Sequence, residues 1–204
     1  MNPNEVYFVS DTHFFHRLMI SPVLENRRRP FDTIEQMNEV LIENWNSVVP
    51  VKGAHVFHLG DLSFGTAKDT AKVLSCLNGQ KYLIMGNHDH RAFQKHFTWT
   101  KDYYELKVHE SKAHCQKVIL FHYPIGSWHN VHHNSWQLHG HCHGGYRYTR
   151  GKQLDVGVDA LPGYRPYTYL EIKQLMLAKQ YEQLDYHTPK ELPEETESAQ
   201  EGVV

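Results

Sequence analysis

Five short apolar runs, each followed within a few residues by Asp, Asn or His, constrain the fold of this 204-residue chain more than any other feature. Runs of this length and composition are typical of buried strands. With the polar residues that follow them, they are 6–9 with Asp11 and His13, 56–59 with Asp61, 81–85 with Asn87, His88 and Asp89, 118–121 with His122, and 136–138 with His139, His141 and His143. Because open α/β sheets build their sites at the carboxyl ends of their strands, we predict that these side chains converge on one site.

The composition is that of a single globular domain. Hydrophobic residues make up 40% and charged residues 22% of a chain that is long enough to bury a sizeable core. No linker or internal repeat divides it, so we predict one domain over residues 1–184. Residues 185–204 are acidic, contain Pro and have a low apolar content, which predicts a disordered tail.

Charge and cysteine content favour a cytoplasmic location and disfavour nucleic acid as a partner. The formal net charge of -2 provides no electrostatic reason for non-specific binding to nucleic acid or a membrane surface. No apolar run approaches the length of a membrane span, and residues 1–5 do not begin a signal peptide. The cysteines, Cys76, Cys115 and Cys142, are too few and too irregularly spaced for a disulfide framework, which fits a reducing compartment.

Helical periodicity and capping residues predict three helices, at about 32–48, 66–77 and 169–179. The first has a capping-box-like start, with Asp32 in the cap position and Glu35 three residues later. The last is predicted to turn four apolar side chains inward, Leu170, Ile172, Leu175 and Met176. His58 lies inside the second strand, where we predict a packed interior histidine and not a ligand.

The polar set at the strand ends suits metal binding. It consists of Asp, His and Asn, and imidazole with carboxylate binds first-row transition metals. The strong candidates include no Cys, which argues against a structural zinc site. Seven or eight candidate ligands are too many for one ion and about right for two ions that share a carboxylate. Two-metal sites stabilise both the attacking and the leaving oxygen of an in-line displacement, so the set points to phosphoester hydrolysis.

In their order along the chain, these motifs resemble those of the calcineurin-like metallophosphoesterase superfamily. They are Asp11-x-His13, Gly60-Asp61, Gly86-Asn87-His88-Asp89, His122 and Gly140-His141-Cys142-His143. In its short form the chain is similar to small bacterial and phage members. The resemblance implies an α/β fold of the metallophosphoesterase type, a four-layer sandwich in which two mixed β-sheets pack face to face and are flanked by helices. It also implies a hydrolase that acts on phosphoric ester bonds.

The resemblance further implies a role for each motif residue. The first metal would be held by Asp11, His13, Asp61 and His143, and the second by Asp61, Asn87, His122 and His141. Both ions would be divalent transition metals, with Mn²⁺ favoured and Fe, Ni, Co or Zn as alternatives. A hydroxide bound between the ions would attack phosphorus. His88 would donate a proton to the leaving oxygen or bind the phosphate, and Asp89 would orient His88.

The residues that contact substrate are less well defined by the sequence. His16 either extends the site or is an exposed loop histidine. Arg27, Arg28 and Arg29 form either a phosphate-binding arm or a solvated loop. The loop at 125–135, rich in polar and aromatic residues, is either a wall of the substrate site or simply exposed.

We expect the substrate to be a small, nucleotide-like phosphoester, either a monoester or a diester. One alternative is a nuclease that acts on DNA or RNA, which the near-zero charge and the lack of length for a DNA-binding cap disfavour. Another is a non-catalytic metal-binding scaffold, which the complete set of candidate ligands disfavours. Phe64, three residues after Asp61, is neither acidic nor an amide, which argues against a protein phosphatase. The oligomeric state is left open.

Overall fold

The computed structural model describes residues 1–147 and 151–180, without the side chains of Asn26 and Arg27. In these ranges the strands are β1 (Val6–Val9), β2 (His55–His58), β3 (Gln80–Ile84), β4 (Thr100–Lys101), β5 (Tyr103–His109), β6 (Cys115–Phe121), β7 (Trp136–His139), β8 (Gln153–Asp155) and β9 (Tyr167–Thr168). The α-helices are α1 (Ile34–Val48), α2 (Ala67–Cys76) and α3 (Tyr169–Leu177). None of the helices in these ranges is long and apolar enough to cross a membrane. The predicted domain end at residue 184 and the predicted tail at 185–204 lie outside the described residues.

The first sheet has the strand order β4-β3-β2-β1-β9, in which β9 is antiparallel to β1 and the other pairs are parallel. β1 is buried along its whole length because both faces of the sheet are covered, and this explains why it is a continuous apolar run. Helices α1 and α2 cover the outer face. The residues that pack there with Tyr7, Val9 and Val56 include Met37, Leu41, Trp45, Val73 and Leu74.

The second sheet has the order β5-β6-β7-β8, with β5 and β6 antiparallel and the other pairs parallel. The inner faces of the two sheets share one core, which includes Phe8, Phe57, Val118, Leu120 and Leu138. On the outer face of the second sheet, Ile119 packs against Trp128 and Val131 of the 125–135 loop. Two mixed sheets packed face to face, with flanking helices, confirm the predicted fold class.

Backbone contacts bring the carboxyl ends of strands from both sheets together. Ser10, which follows β1, forms a parallel bridge with Gly157, which follows β8. Gly140, after β7, donates its N–H to the carbonyl of His122, after β6, at 2.9 Å. The loops that carry the candidate ligands therefore meet at one end of the sandwich.

Two details of the helices differ from the sequence prediction. The N-cap of α1 is Thr33 and not Asp32, since the Thr33 hydroxyl accepts the N–H of Gln36 at 3.1 Å. In α3, Leu170 and Leu175 are exposed, contrary to the prediction. The buried side chains of α3 are Tyr169, Ile172 and Met176. Because α3 is apolar around most of its circumference, its periodicity did not identify the face that the tertiary packing selects.

Candidate metal centre

Three predicted ligands form a first cluster, defined as Asp11, His13 and His143, whose ligand atoms lie close enough to hold one ion. The Nε2 atoms of His13 and His143 are 3.2 Å apart. The Nε2 atom of His13 lies 3.8 Å from Oδ1 of Asp11, and the corresponding atom of His143 lies 3.9 Å from the same oxygen. Three candidate ligand atoms, from the loops after β1 and β7, therefore face one point.

A second cluster consists of Asp61, His122 and His141. Oδ1 of Asn87 lies 3.1 Å from Nε2 of His122 and 3.0 Å from Nδ1 of His141, so the amide faces the same point. Asp61 joins the two clusters. Its Oδ1 lies 3.6 Å from Nε2 of His122, and its Oδ2 lies 3.7 Å from Nε2 of His13. The structure thus brings together all seven residues that the sequence predicted as metal ligands.

The arrangement of lone pairs in the second cluster fits a cation. Nδ1 of His122 donates to the carbonyl of Leu59 at 2.7 Å, and burial lowers the pKa of this histidine, so the ring is neutral and its Nε2 is an acceptor. That acceptor faces two further acceptors, Oδ1 of Asn87 and Oδ1 of Asp61. Three converging acceptors with no proton between them repel one another unless a positive ion binds there.

The electrostatics of the first cluster also fit a cation. Burial raises the pKa of the Asp11 carboxyl to about 8, and the carboxylates of Asp155 and Asp61 add to the rise while His143 opposes it. Burial lowers the pKa of His13, so its ring is a neutral ligand. Burial also opposes a charge on His143, but the hydrogen bond to Asp159 and the negative charges of Asp11 and Asp159 together outweigh it and raise the pKa. A buried carboxyl of this kind stays ionised only with a positive charge beside it.

Five of the seven candidate ligands have a backbone conformation that side chains rarely adopt. The φ angles are 55° for Asp11, 48° for His13, 58° for Asp61, 68° for His141 and 48° for His143. Left-handed conformations at residues other than Gly cost on the order of 1–3 kcal/mol each and are concentrated at functional sites. The loops after β1, β2 and β7 thus place their side chains in the clusters at the expense of backbone stability.

Arg29 supports the first cluster and is not placed to contact substrate, which corrects its prediction as a substrate-binding residue. Only 1% of it is exposed. Its guanidinium donates twice to Asp159, at 2.8 Å each, and once each to the carbonyls of Asp11 and Thr12, at 2.7 Å. Asp159 in turn accepts Nδ1–H of His143 at 2.7 Å. Burial would raise the pKa of Asp159, but these hydrogen bonds from His143 and Arg29 outweigh it and lower the pKa.

Asp89 also has a different role from the predicted one. Its Oδ2 accepts the backbone N–H groups of Asp61 and Gly86, each at 2.9 Å, and its Oδ1 accepts that of Leu62 at 2.8 Å. Asp89 therefore fixes the loop that carries Asp61 and does not orient His88. The backbone N–H of His88 donates to Oδ1 of Asp61 at 2.9 Å, which sets the position of the His88 backbone.

His58 lies in the interior, as the sequence predicted. Its Nδ1 accepts the N–H of Gly60 at 3.2 Å, so its Nε2–H donates to the hydroxyl of Thr12 at 2.9 Å. That hydroxyl donates to the carbonyl of Leu62 at 2.9 Å. Burial lowers the pKa of His58 to about 3, so the ring is neutral. This chain of hydrogen bonds links the loops after β1 and β2 beneath the two clusters.

The residues predicted to contact substrate are found in several places. His16, His88 and Arg28 line a cavity beside the first cluster, together with His13 and His143. The side chain of Arg27 is outside the described part of the structure. The 125–135 loop covers the second sheet through Trp128 and does not line this cavity, which disfavours its prediction as a substrate wall.

Gly140 packs closely against Asp11, so a substitution at Gly140 tests the first cluster. A Cβ added at Gly140 would overlap Ser10 Oγ and Asp11 Oδ2, and would lie 2.7 Å from the Cβ of Ser10. We expect Gly140→Ala to weaken metal binding about 10–100-fold, as displacement of a ligand carboxylate does. Gly126→Ala is the matched control, since a Cβ there meets nothing within 4 Å. Competition with a chromophoric chelator measures both affinities, and equal affinities would contradict the arrangement.

Two mixed sheets with paired Asp and His clusters at one end are features of a metal-dependent hydrolase. The sequence matches the calcineurin-like phosphoesterase family over residues 5–191. The chain belongs to this metal-dependent family, and it is a hydrolase that acts on phosphoester bonds.

One sequence relative and two solved structures are similar to this chain. The uncharacterized protein MJ1445 of Methanocaldococcus jannaschii is 34% identical over 174 residues, which cover 81% of this chain and 88% of that protein. The crystal structure of AQ665 from Aquifex aeolicus, a protein of unknown function, aligns with a TM-score of 0.62 and 26% identity over 83% of this chain and 98% of that one. Yfce, a phosphoesterase from E. coli, aligns with a TM-score of 0.41 and 18% identity over 75% of this chain and 78% of its own.

The supporting residues of the site were not identified from the sequence. In the sequence, Asp159 belongs to none of the motifs named above, and Arg29 stands out only as part of a basic run. Their pairing joins residues 130 positions apart, and no local pattern reports such a contact.

Proposed function

We propose that this chain hydrolyses a small phosphoester, a nucleotide-like monoester or diester, with two divalent transition-metal ions. The single observation that carries the proposal is the position of Asp61, whose two oxygens face different clusters. A carboxylate with this placement suits the shared ligand of a two-metal site. We assign Asp11, His13, Asp61 and His143 to one ion, and Asp61, Asn87, His122 and His141 to the other, with Mn²⁺ as the proposed metal. When bound, two such ions lower the pKa of water and offset the charge of a phosphoryl group.

The chain's own groups would then orient the substrate and move a proton. His88 is exposed and lines the cavity beside the first cluster, with its ring centroid 5.9 Å from that of His13. We assign it the donation of a proton to the leaving oxygen, which contributes on the order of 10²–10⁴-fold to the rate. Asp89 keeps the loop of Asp61 in place through three backbone hydrogen bonds.

Metal removal tests the proposal directly. We expect protein stripped of metal to hydrolyse neither p-nitrophenyl phosphate nor bis-p-nitrophenyl phosphate, and reloading with Mn²⁺ to restore at least one activity. Reloading with Ni²⁺, Co²⁺ or Zn²⁺ compares the metals, and the ratio of the two rates separates a monoesterase from a diesterase. Both substrates release p-nitrophenol, so the absorbance of the phenolate measures the two rates on one scale.

The variant His88→Asn separates metal binding from turnover in the same assays. It should keep both ions, since His88 belongs to neither cluster, and lose about 10²–10⁴-fold in turnover. Protein that binds metal but hydrolyses neither ester would favour the scaffold alternative. Faster hydrolysis of single-stranded DNA or RNA than of either small ester would favour the nuclease alternative.

We also propose the cytoplasm as the compartment of this protein. Cys76, Cys115 and Cys142 are free thiols, and two of them are exposed. Exposed free thiols persist where the environment is reducing.

A further inference from the structure

A cavity of about 350 Å³ opens beside the first cluster. Its polar wall carries His13, His16, His88, His143 and Asp159. Its apolar wall consists of Leu18, Met19 and Leu24 from the segment that follows β1, and of Tyr164, with Arg28 from the same segment also lining the cavity. A volume of this size is in the range of small-molecule sites, which are mainly apolar with a few converging polar groups.

Met19 is buried in the core, and Leu24 and Tyr164 pack against it, but core packing does not account for Leu18. Leu18 is 44% exposed although it lies beside a polar centre, and Leu24 is only partly buried. Two consecutive 3-10 segments, Arg17–Ile20 and Pro22–Arg27, present these side chains. Burying the exposed area of a Leu is favourable in proportion to that area, so contact with an apolar surface of a ligand would stabilise the complex.

The planar side chains of His16 and Arg28 border the same cavity. The ring of His16 stacks on Phe64 with the centroids 3.7 Å apart and the planes at 8°. Nε of Arg28 donates to the carbonyl of Ile20 at 2.7 Å, which restrains the guanidinium at the cavity wall. Rings and guanidinium planes of this kind stack on planar ligands.

We propose that this cavity binds the alcohol group of the phosphoester, and that this group carries a planar ring with apolar faces, as a nucleoside does. The proposal rests on the proposed function, because the phosphate is placed by the metal centre that adjoins the cavity. It deepens that function by assigning substrate choice to Leu18, Leu24, Arg28 and Tyr164. A phosphoester with a small alkyl alcohol leaves these side chains in contact with water, so they contribute nothing to its binding free energy.

Two substrates with one leaving group isolate the contribution of the cavity. Thymidine 5′-(p-nitrophenyl phosphate) and methyl p-nitrophenyl phosphate release the same phenol and differ only in the retained alcohol. If monoesters are preferred, thymidine 5′-monophosphate and methyl phosphate replace them, with phosphate release as the readout. We measure whichever pair the Mn²⁺-loaded protein hydrolyses. Within that pair, we expect the KM of the thymidine ester to be about tenfold lower than that of the methyl ester.

Leu18→Asn tests the wall without adding charge, and Val23→Asn is its matched control. Val23 is 78% exposed, belongs to the same segment and does not line the cavity. We expect Leu18→Asn to raise KM for the thymidine ester about tenfold and to leave the methyl ester unchanged. Val23→Asn should change neither.

A binding measurement makes the outcome independent of turnover. Calorimetric titration of the Mn²⁺-loaded protein with a phosphonate analogue of thymidine 5′-monophosphate, in which a P–C bond that cannot be hydrolysed replaces the ester bond, should show affinity that Leu18→Asn weakens and Val23→Asn does not. Equal KM values for the thymidine and methyl esters, or an equal effect of Leu18→Asn on both, would overturn the cavity proposal and leave the phosphoesterase intact. Binding that depends on Leu18 without hydrolysis of any ester would support the cavity and contradict the proposed function.

Discussion

Replacing Asp61 with Asn should lower turnover of phosphoesters by more than about a hundredfold and reduce the bound metal from two ions per chain to one or none. Asp61 is buried, and its two oxygens face His122 and His13 of different clusters. Asn keeps the shape and one oxygen, but it removes the negative charge and turns one ligand atom into a donor. Kinetic assays and elemental analysis of the metal content measure the two effects.

The metal-free protein provides a check that Asp61→Asn still folds. Burial is the main cause of the raised pKa of Asp11, and the negative charge of Asp61 adds to it, so removal of that charge relieves an unfavourable interaction when no ion is bound. We therefore expect the free energy of unfolding of the stripped variant to equal or exceed that of the stripped wild type. Asp32→Asn, at an exposed position before α1, is the matched control and should keep both ions and full activity. Two ions and wild-type rates in Asp61→Asn would contradict the shared-ligand assignment.

Replacing Arg29 with Met should lower the free energy of unfolding by about 3–5 kcal/mol. The change removes the partner of Asp159, a carboxylate whose side chain is 13% exposed, and leaves the carbonyls of Asp11 and Thr12 without their donors. It also loosens the hydrogen bond that orients His143, so metal affinity should fall about 10–100-fold. Urea unfolding of the stripped protein and chelator competition measure these effects separately.

Arg28→Met is the matched control for this experiment. Arg28 is the neighbouring residue and is exposed, so its replacement should change the free energy of unfolding by less than about 1 kcal/mol. Adding Asp159→Leu to Arg29→Met should recover part of the lost stability, because no buried charge is then left without its partner. A variant Arg29→Met that unfolds at the same urea concentration as Arg28→Met would show that the buried ion pair contributes nothing.

The sequence by itself determined five of the strands and the polar residues that follow them. Short apolar runs identify buried strands because parallel strands covered on both faces need apolar side chains on both. Asp11, Asp61 and His122 follow closely after such runs, and the carboxyl ends of neighbouring strands meet in space. For this reason local pattern was sufficient to predict that the residues after these strands converge, whereas the two-sheet fold was implied by the resemblance of the motifs to the metallophosphoesterase superfamily.

Only the tertiary structure decided how that convergence is supported. The pairing of Arg29 with Asp159, the three hydrogen bonds to Asp89 and the buried face of α3 all depend on segments far apart in the chain. The cavity beside the first cluster likewise needs Leu18 and Tyr164, which come together only in the folded chain. Periodicity and composition describe a residue and its near neighbours, whereas a buried ion pair or a cavity wall is set by which distant surfaces pack together.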